Sequence, residues 1–268
     1  MRSNAVKRKI LKGQVAWGTW ITSGDYHVTR ALLPLGFDWL TIDMEHAAVD
    51  WSDVARLVGA IADNNVVPFI RVPEGTPFYL KRALDTGAFG IIVPMVETPE
   101  EAQQIVRGTR FPPDGNRSAG GALHFLHFAA TLEEYLARAN QEIMVVLQIE
   151  SPRGVQNCAA IASVAGFDVL LVGPLDLETR LRAKSPAGDV GHAFAEHVQK
   201  VIGAGERFGR ITGIHARSPE EARFWAEQGM RLIAVGTDIG MLTERAREHL
   251  AALSSATCGG ESQTAADV

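Results

Sequence analysis

One alternation, repeated eight times, constrains the fold of this chain more than any other feature. A short apolar run ends in Gly, Pro or a charged residue, and an amphipathic stretch follows. The runs are residues 15–20, 39–43, 67–72, 90–96, 143–150, 169–172, 211–215 and 232–235. Several are β-branched and nearly unbroken, as strands covered on both faces must be. Between them, Thr98-Pro99-Glu100-Glu101 and Ser218-Pro219-Glu220-Glu221 are nearly one device used twice. A hydroxyl caps the helix, Pro takes its first position, and acids meet the positive end of its dipole. Gly87, Gly166 and Gly229 stop helices just ahead of a strand. Strands alternating with helices imply parallel βαβ units, and the number eight implies closure. The expected fold is an α/β (β/α)8 TIM barrel, with an open doubly wound sheet as the alternative. At 268 residues, 46% of them hydrophobic, the chain suits one barrel domain over residues 1–253. The polar tail, 254–268, is expected to be disordered.

Charge excludes several partners. Lys+Arg 26 against Asp+Glu 31 gives a net charge of −5, without a basic stripe for nucleic acid or a polybasic run for a membrane. No apolar run is long enough to span a bilayer, and the basic start lacks a signal core. A cytoplasmic protein is expected. Of the two cysteines, Cys158 reads as a small core residue and Cys258 sits in the tail, with neither zinc spacing nor a disulfide framework. No lysine closes a strand, which argues against a Schiff-base mechanism. The Pro/Gly-rich connection 111–121 is long enough to suggest a functional loop.

A barrel of this type works at the C-terminal ends of its strands. There the sequence places Asp43, Glu45 and His46 after strand two, Arg71 after strand three, Gln148 and Glu150 on strand five, and Asp176 just after strand six. Glu150 and Asp176 on adjacent strand ends suit a hard divalent cation; elsewhere two such acids would be surface or ion-pair groups. Arg71 closes an apolar run, where its planar fork serves as an anion clamp or a structural salt bridge. His46 is a proton-transfer candidate by position, whereas His124, His127, His192 and His197 read as loop or helix-surface residues. His215 ends strand seven and is placed to face the cavity. Trp20 ends strand one as a pocket wall or a space filler.

Taken in order, Phe37-Asp38-Trp39-Leu40-Thr41-Ile42-Asp43-Met44-Glu45-His46, Arg71-Val72-Pro73, Val93-Pro94-Met95-Val96, Phe111-Pro112-Pro113, Gln148-Ile149-Glu150-Ser151 and Gly173-Pro174-Leu175-Asp176-Leu177 resemble the HpcH/HpaI aldolases. The resemblance runs from about Val15 to Leu250. It implies a class II pyruvate aldolase, cytoplasmic, that makes or breaks 4-hydroxy-2-keto acids from a pyruvate enolate and an aldehyde. It implies a divalent cation (Mg2+, Mn2+ or Co2+) on Glu150 and Asp176, with Arg71 on the oxygen that becomes the enolate. It assigns proton transfer to His46, or to a metal-held water relayed by it, and pairs Asp85 with the histidine of a neighbouring subunit. Trp20, Gln148, Gly173, Pro174 and Leu175 fall on substrate-binding positions. Assembly as a homo-oligomer, a trimer or hexamer with an exchanged last helix, is also implied.

The chain departs from that family at the mouth. Glu178 to Lys184, Leu175 and the stretch Gly213-Ile214-His215-Ala216 differ from its usual pattern, which leaves the aldehyde partner open. Two rival readings remain. One is a CoA-thioester lyase of the citrate lyase β-like type, for which Arg180, Arg182 and Lys184 would supply a basic patch. The other is a non-catalytic barrel that binds keto acids.

Overall fold

The structure is a computed structural model that describes residues 1–186 and 188–257. Eight parallel strands close on themselves in sequence order: β1 Ala16–Ile21, β2 Trp39–Asp43, β3 Val67–Arg71, β4 Gly90–Val93, β5 Met144–Ile149, β6 Val169–Val172, β7 Ile211–Ala216 and β8 Leu232–Thr237. β1 pairs with both β2 and β8, so the doubly wound alternative is excluded. β2 through β6 are buried at every position because helices cover their outer faces.

Side chains alternate across each strand, so the inward set can be followed from the mouth downward. Asp43 and Arg71 meet inside the mouth, which places Thr41, Trp39 and Phe69 inside below them. Trp39 and Phe69 pack with ring centroids 5.2 Å apart. Glycines make room for both. A Cβ on Gly18 would fall 2.3 Å from the Trp39 ring, and one on Gly90 would fall 2.5 Å from Phe69. The barrel is therefore a filled core, open only where the mouth widens.

The helix devices form as read. Thr98 and Ser218 accept from the backbone N–H groups of Glu101 and Glu221. The floor of the barrel is crossed by helix Ala5–Leu11, whose Lys9 bonds Asp38 ahead of β2 and whose Lys7 pairs with Asp168 ahead of β6. Each of those acids also accepts a backbone N–H of the preceding strand region: Trp17 for Asp38 and Val145 for Asp168.

Connection 111–121 lines no part of the C-terminal mouth of its own chain and leads into a short helix, Leu123–His127, that packs on helices Trp51–Asp63 and Pro77–Asp85. Two expectations change. His124 is not a surface residue but is buried against Tyr135. The last helix, Asp238–Thr257, carries the chain to Thr257, so residues 254–257 of the expected tail are helical. The remainder of that tail, with Cys258, lies outside the described residues. Cys158 is buried in a helix, as expected. Among the described residues no helix is long and apolar enough to cross a membrane.

Candidate active site

The strand ends converge on one cavity of about 500 Å³ at the C-terminal mouth. Trp20, Asp43, His46, Arg71, Gln148, Glu150, Gly173, Pro174, Leu175, Asp176 and His215 all line it. This volume is within the range of small-ligand sites.

Arg71 sits at the centre of one wall. Its Nε and Nη2 donate to Asp43 at 2.9 and 2.6 Å, and Nη1 lies 3.0 Å from Glu45 Oε2. That last contact is an ion pair out of hydrogen-bond alignment, since Glu45 Oε2 finds no donor in line. Three guanidinium nitrogens are thus held by two carboxylates, and the guanidinium carbon lies 4.3 Å from the Trp20 ring centroid. On the same indole His215 stacks at 5.0 Å. The arginine cannot swing; its remaining N–H groups form a preorganised donor. Asp43 Oδ1 also accepts the backbone N–H of Glu45 at 3.0 Å and of His46 at 3.4 Å, which shapes the turn that carries both.

Glu150 stands two strands further round the ring, just after β5. Met95, at φ 55 in the left-handed region, donates its N–H to Glu150 Oε1 at 2.8 Å. Holding a non-glycine residue there is strained, and here the strain aims an amide at the carboxylate. Gln148 Nε2 donates a short bond to Glu150 Oε2, while Gln148 Oε1 is buried without a partner. Burial raises the Glu150 carboxyl above its ordinary range; the Met95 and Gln148 hydrogen bonds work against that shift, and the charges of Glu45 and Asp176 add to it. Burial likewise raises Glu45, with Arg71 opposing. Asp176 stands in the first turn of helix Pro174–Lys184.

The strand-end glycine, Gly173, has a steric reason. A Cβ there would lie 2.1 Å from Glu150 Oε2 and 2.8 Å from Gln148 Nε2. The backbone is pressed against the carboxylate, and only glycine permits that.

These residues fit a hard divalent cation. Glu150 and Asp176 have no cationic ion-pair partner among the described residues, and four nearby carboxylates face one guanidinium. The uncompensated charge and the orphaned Gln148 oxygen suit an oxygen-liganded ion. Among the described residues no group of three or more His, Cys, Asp or Glu could hold a metal alone. The protein therefore offers two carboxylates, and substrate and water would complete the shell.

His46 stands at the rim, its side chain 63% exposed, with Nε2 3.9 Å from Glu45 Oε2. His215 is enclosed, and Nε2 lies 2.8 Å from the Gly236 carbonyl. That oxygen only accepts, so Nε2 carries the proton. Burial lowers the ring from 6.5 to about 4, leaving it neutral near pH 7.

Asp85 is the one candidate that does not join the others. It ends helix Pro77–Asp85, just ahead of β4 and at the other end of the barrel, where Arg117 donates to it at 2.9 Å. Within one chain it does not meet His46. Nor do Arg180, Arg182 and Lys184 line the cavity, although Arg180 Nη2 reaches the Met95 sulfur at 3.8 Å beside the site wall. Five lining residues were missed by the sequence reading: Thr22, Arg217, Gly236, Thr237 and Gly240. Arg217 follows β7 directly, so the strand-end rule that found Arg71 applies to it equally.

The profile of the HpcH/HpaI aldolase/citrate lyase family matches residues 17–244. A hydroxypyruvate/pyruvate aldolase of Roseovarius nubinhibens is 34% identical over 250 residues, covering 93% of this chain and 96% of its own. A 5-keto-4-deoxy-D-glucarate aldolase of Shigella boydii is 37% identical over 242 residues, covering 89% and 91%. The crystal structure of an HpcH/HpaI aldolase/citrate lyase family protein from Burkholderia cenocepacia superimposes with a TM-score of 0.86 at 37% identity, covering 94% of this chain and 100% of that one.

Proposed function

The chain belongs to the HpcH/HpaI aldolase/citrate lyase family, and from that premise we propose that its cavity holds a 2-keto acid as a nascent enolate and joins it to, or releases it from, an aldehyde. It is an aldolase, a carbon–carbon lyase. The observation that carries the substrate reading is that one cavity brings together an immobilised arginine, two carboxylates without a cationic partner among the described residues, and the unpartnered amide oxygen of Gln148.

Glu150 and Asp176 would hold a divalent cation such as Mg2+, Mn2+ or Co2+. When bound, the ion supplies Lewis-acid stabilisation of negative charge on the keto oxygen. Arg71 adds a fixed donor to the same oxygen, and Asp43 and Glu45 keep it in place. Trp20 and the backbone at Gly173 and Pro174 wall the keto-acid half, and Leu175 borders the acceptor half. In the cleavage direction the 4-hydroxyl loses its proton, the C3–C4 bond breaks with its electrons passing to the keto acid, and the aldehyde leaves. The resulting enolate then takes a proton at C3. His46, at the rim beside Glu45, accepts and returns these protons directly or through one water. A homo-oligomer, trimeric or hexameric, is supported by the apolar residues Ile239, Leu242, Leu250 and Leu253 exposed on the last helix.

The test separates enolate formation from carbon–carbon chemistry. Exchange of pyruvate methyl protons with solvent deuterium, followed by NMR without aldehyde, reports the enolate. Exchange and aldol addition should both vanish in EDTA and in Glu150→Gln, and the wild type should recover with added Mn2+. Full activity in a verified metal-free preparation would refute the assignment.

A further inference from the structure

We propose that Glu178 and Arg217 set the acceptor preference of this site, turning away aldehydes that carry a carboxylate in favour of uncharged ones. The proposal rests on the aldol reading above and concerns its unassigned half. Both residues line the cavity, Glu178 in the helix that follows β6 and Arg217 directly after β7. Arg217 Nη1 donates to both oxygens of Glu178, at 2.9 and 3.1 Å. Its Nε and Nη2 donate to the two oxygens of Glu221, at 3.1 and 2.9 Å. The whole fork is thereby occupied.

The charge balance follows from those bonds. One guanidinium serves two carboxylates, so the lip carries a net negative charge. Burial works against ionising Glu221, but the hydrogen bonds and charge of Arg217 overcome it and hold its carboxyl below the ordinary range. Among the described residues lining the cavity the guanidiniums are Arg71 and Arg217, and Asp43 and Glu45 already hold Arg71. Within that lining an anionic tail on the acceptor finds no cation that is not already paired; Arg180, beside Met95, stands outside it. The tail approaches the carboxylate of Glu178, beside the apolar Leu175 and the hydroxyls of Thr22 and Thr237. An uncharged aldehyde, hydroxyaldehydes included, meets no such repulsion. Arg217 is well exposed, so water and salt weaken the effect.

The experiment uses metal-supplemented full-length enzyme with pyruvate and two aldehydes of similar size, succinic semialdehyde and pentanal. Each addition rate is normalised to that protein's own pyruvate proton exchange. The wild type should favour pentanal. Glu178→Gln should raise the semialdehyde-to-pentanal ratio about tenfold at low salt, with the gain shrinking as salt is added. Arg217→Met, which leaves Glu178 unneutralised, should move the ratio the opposite way. This second variant keeps the test decisive if the first folds poorly. A wild-type preference for the semialdehyde, or an unchanged ratio in either folded variant, overturns the proposal while leaving the aldol reading intact. Absence of pyruvate exchange in the wild type would overturn that reading and this inference with it.

Discussion

The contact between the backbone at Gly173 and the Glu150 carboxylate makes Gly173→Ala a test with a magnitude that can be worked out. The new methyl would lie 2.1 Å from Glu150 Oε2, and a Cβ essentially never approaches a neighbour within 3.0 Å. The carboxylate must therefore retreat by about 1 Å. It has no easy way to do so, because Met95 holds one oxygen and Gln148 the other. Gly173 itself lies at φ −96, so alanine meets no backbone strain there and the damage is confined to the site. Displacing a catalytic group by about 1 Å costs on the order of 10²-fold in rate. Overpacking of this kind costs about 1–3 kcal/mol, or roughly 2–10 °C in Tm for a protein of this size. Three measurements bear on this: Mn2+ affinity by calorimetric titration, kcat/KM for aldol addition, and thermal unfolding. Affinity and rate should fall together, with the fold retained. Wild-type affinity and rate in a folded Gly173→Ala protein would show that the backbone at 173 does not confine Glu150, and the steric argument would fail.

Two further outcomes follow from buried charges elsewhere. His215 is held neutral with its pKa lowered from 6.5 to about 4, so the unfolded chain binds the extra proton first as pH falls. Its share of stability is complete above about pH 6.5 and is lost towards pH 4, amounting to about 2 kcal/mol by pH 5. Urea denaturation at pH 7 and pH 5 should show a smaller acid loss in His215→Leu than in the wild type, and equal losses would contradict the assignment. At the other end of the barrel, the Arg117 side chain is fully buried and pairs with Asp85. Asp85→Asn should lower stability by about 2–4 kcal/mol by stranding that cation, and Asp85→Asn/Arg117→Met should recover part of it; if the single variant unfolds like the wild type, the pair is not structural.

The strands were legible because burial on both faces forces continuous apolar runs, and only their ends drifted by a residue or a few, as at β4, where the run reads to Val96 but pairing stops at Val93. The inner site was legible for a related reason. Asp43, Arg71 and Glu150 interrupt or close apolar strands, so their polarity stands out against the run. The mouth was harder. Arg217, directly after β7, lines the cavity as the strand-end rule allows, but where Arg180 reaches depends on the phase and tilt of helix Pro174–Lys184, which a linear sequence does not carry. Asp85 is a different case: a motif match carries residue type without the end of the barrel on which the residue sits, and within its own chain Asp85 ends helix Pro77–Asp85 against Arg117, away from the cavity. His124 was misread because a helix of five residues is too short to show a periodic apolar face.

The helix across the barrel floor has a consequence for how this protein can be handled and altered. β2 and β6 stand four places apart in a ring of eight, so the lysine contacts to Asp38 and Asp168 lie on opposite sides. Helix Ala5–Leu11 acts as a tie-rod across the diameter, anchored far from every residue assigned to substrate. The loops at the mouth can therefore be exchanged or redesigned without loosening the tie. Residues 4–11, by contrast, are poor ground for trimming or for a closely fused tag, because shortening them releases two opposite points of the ring at once.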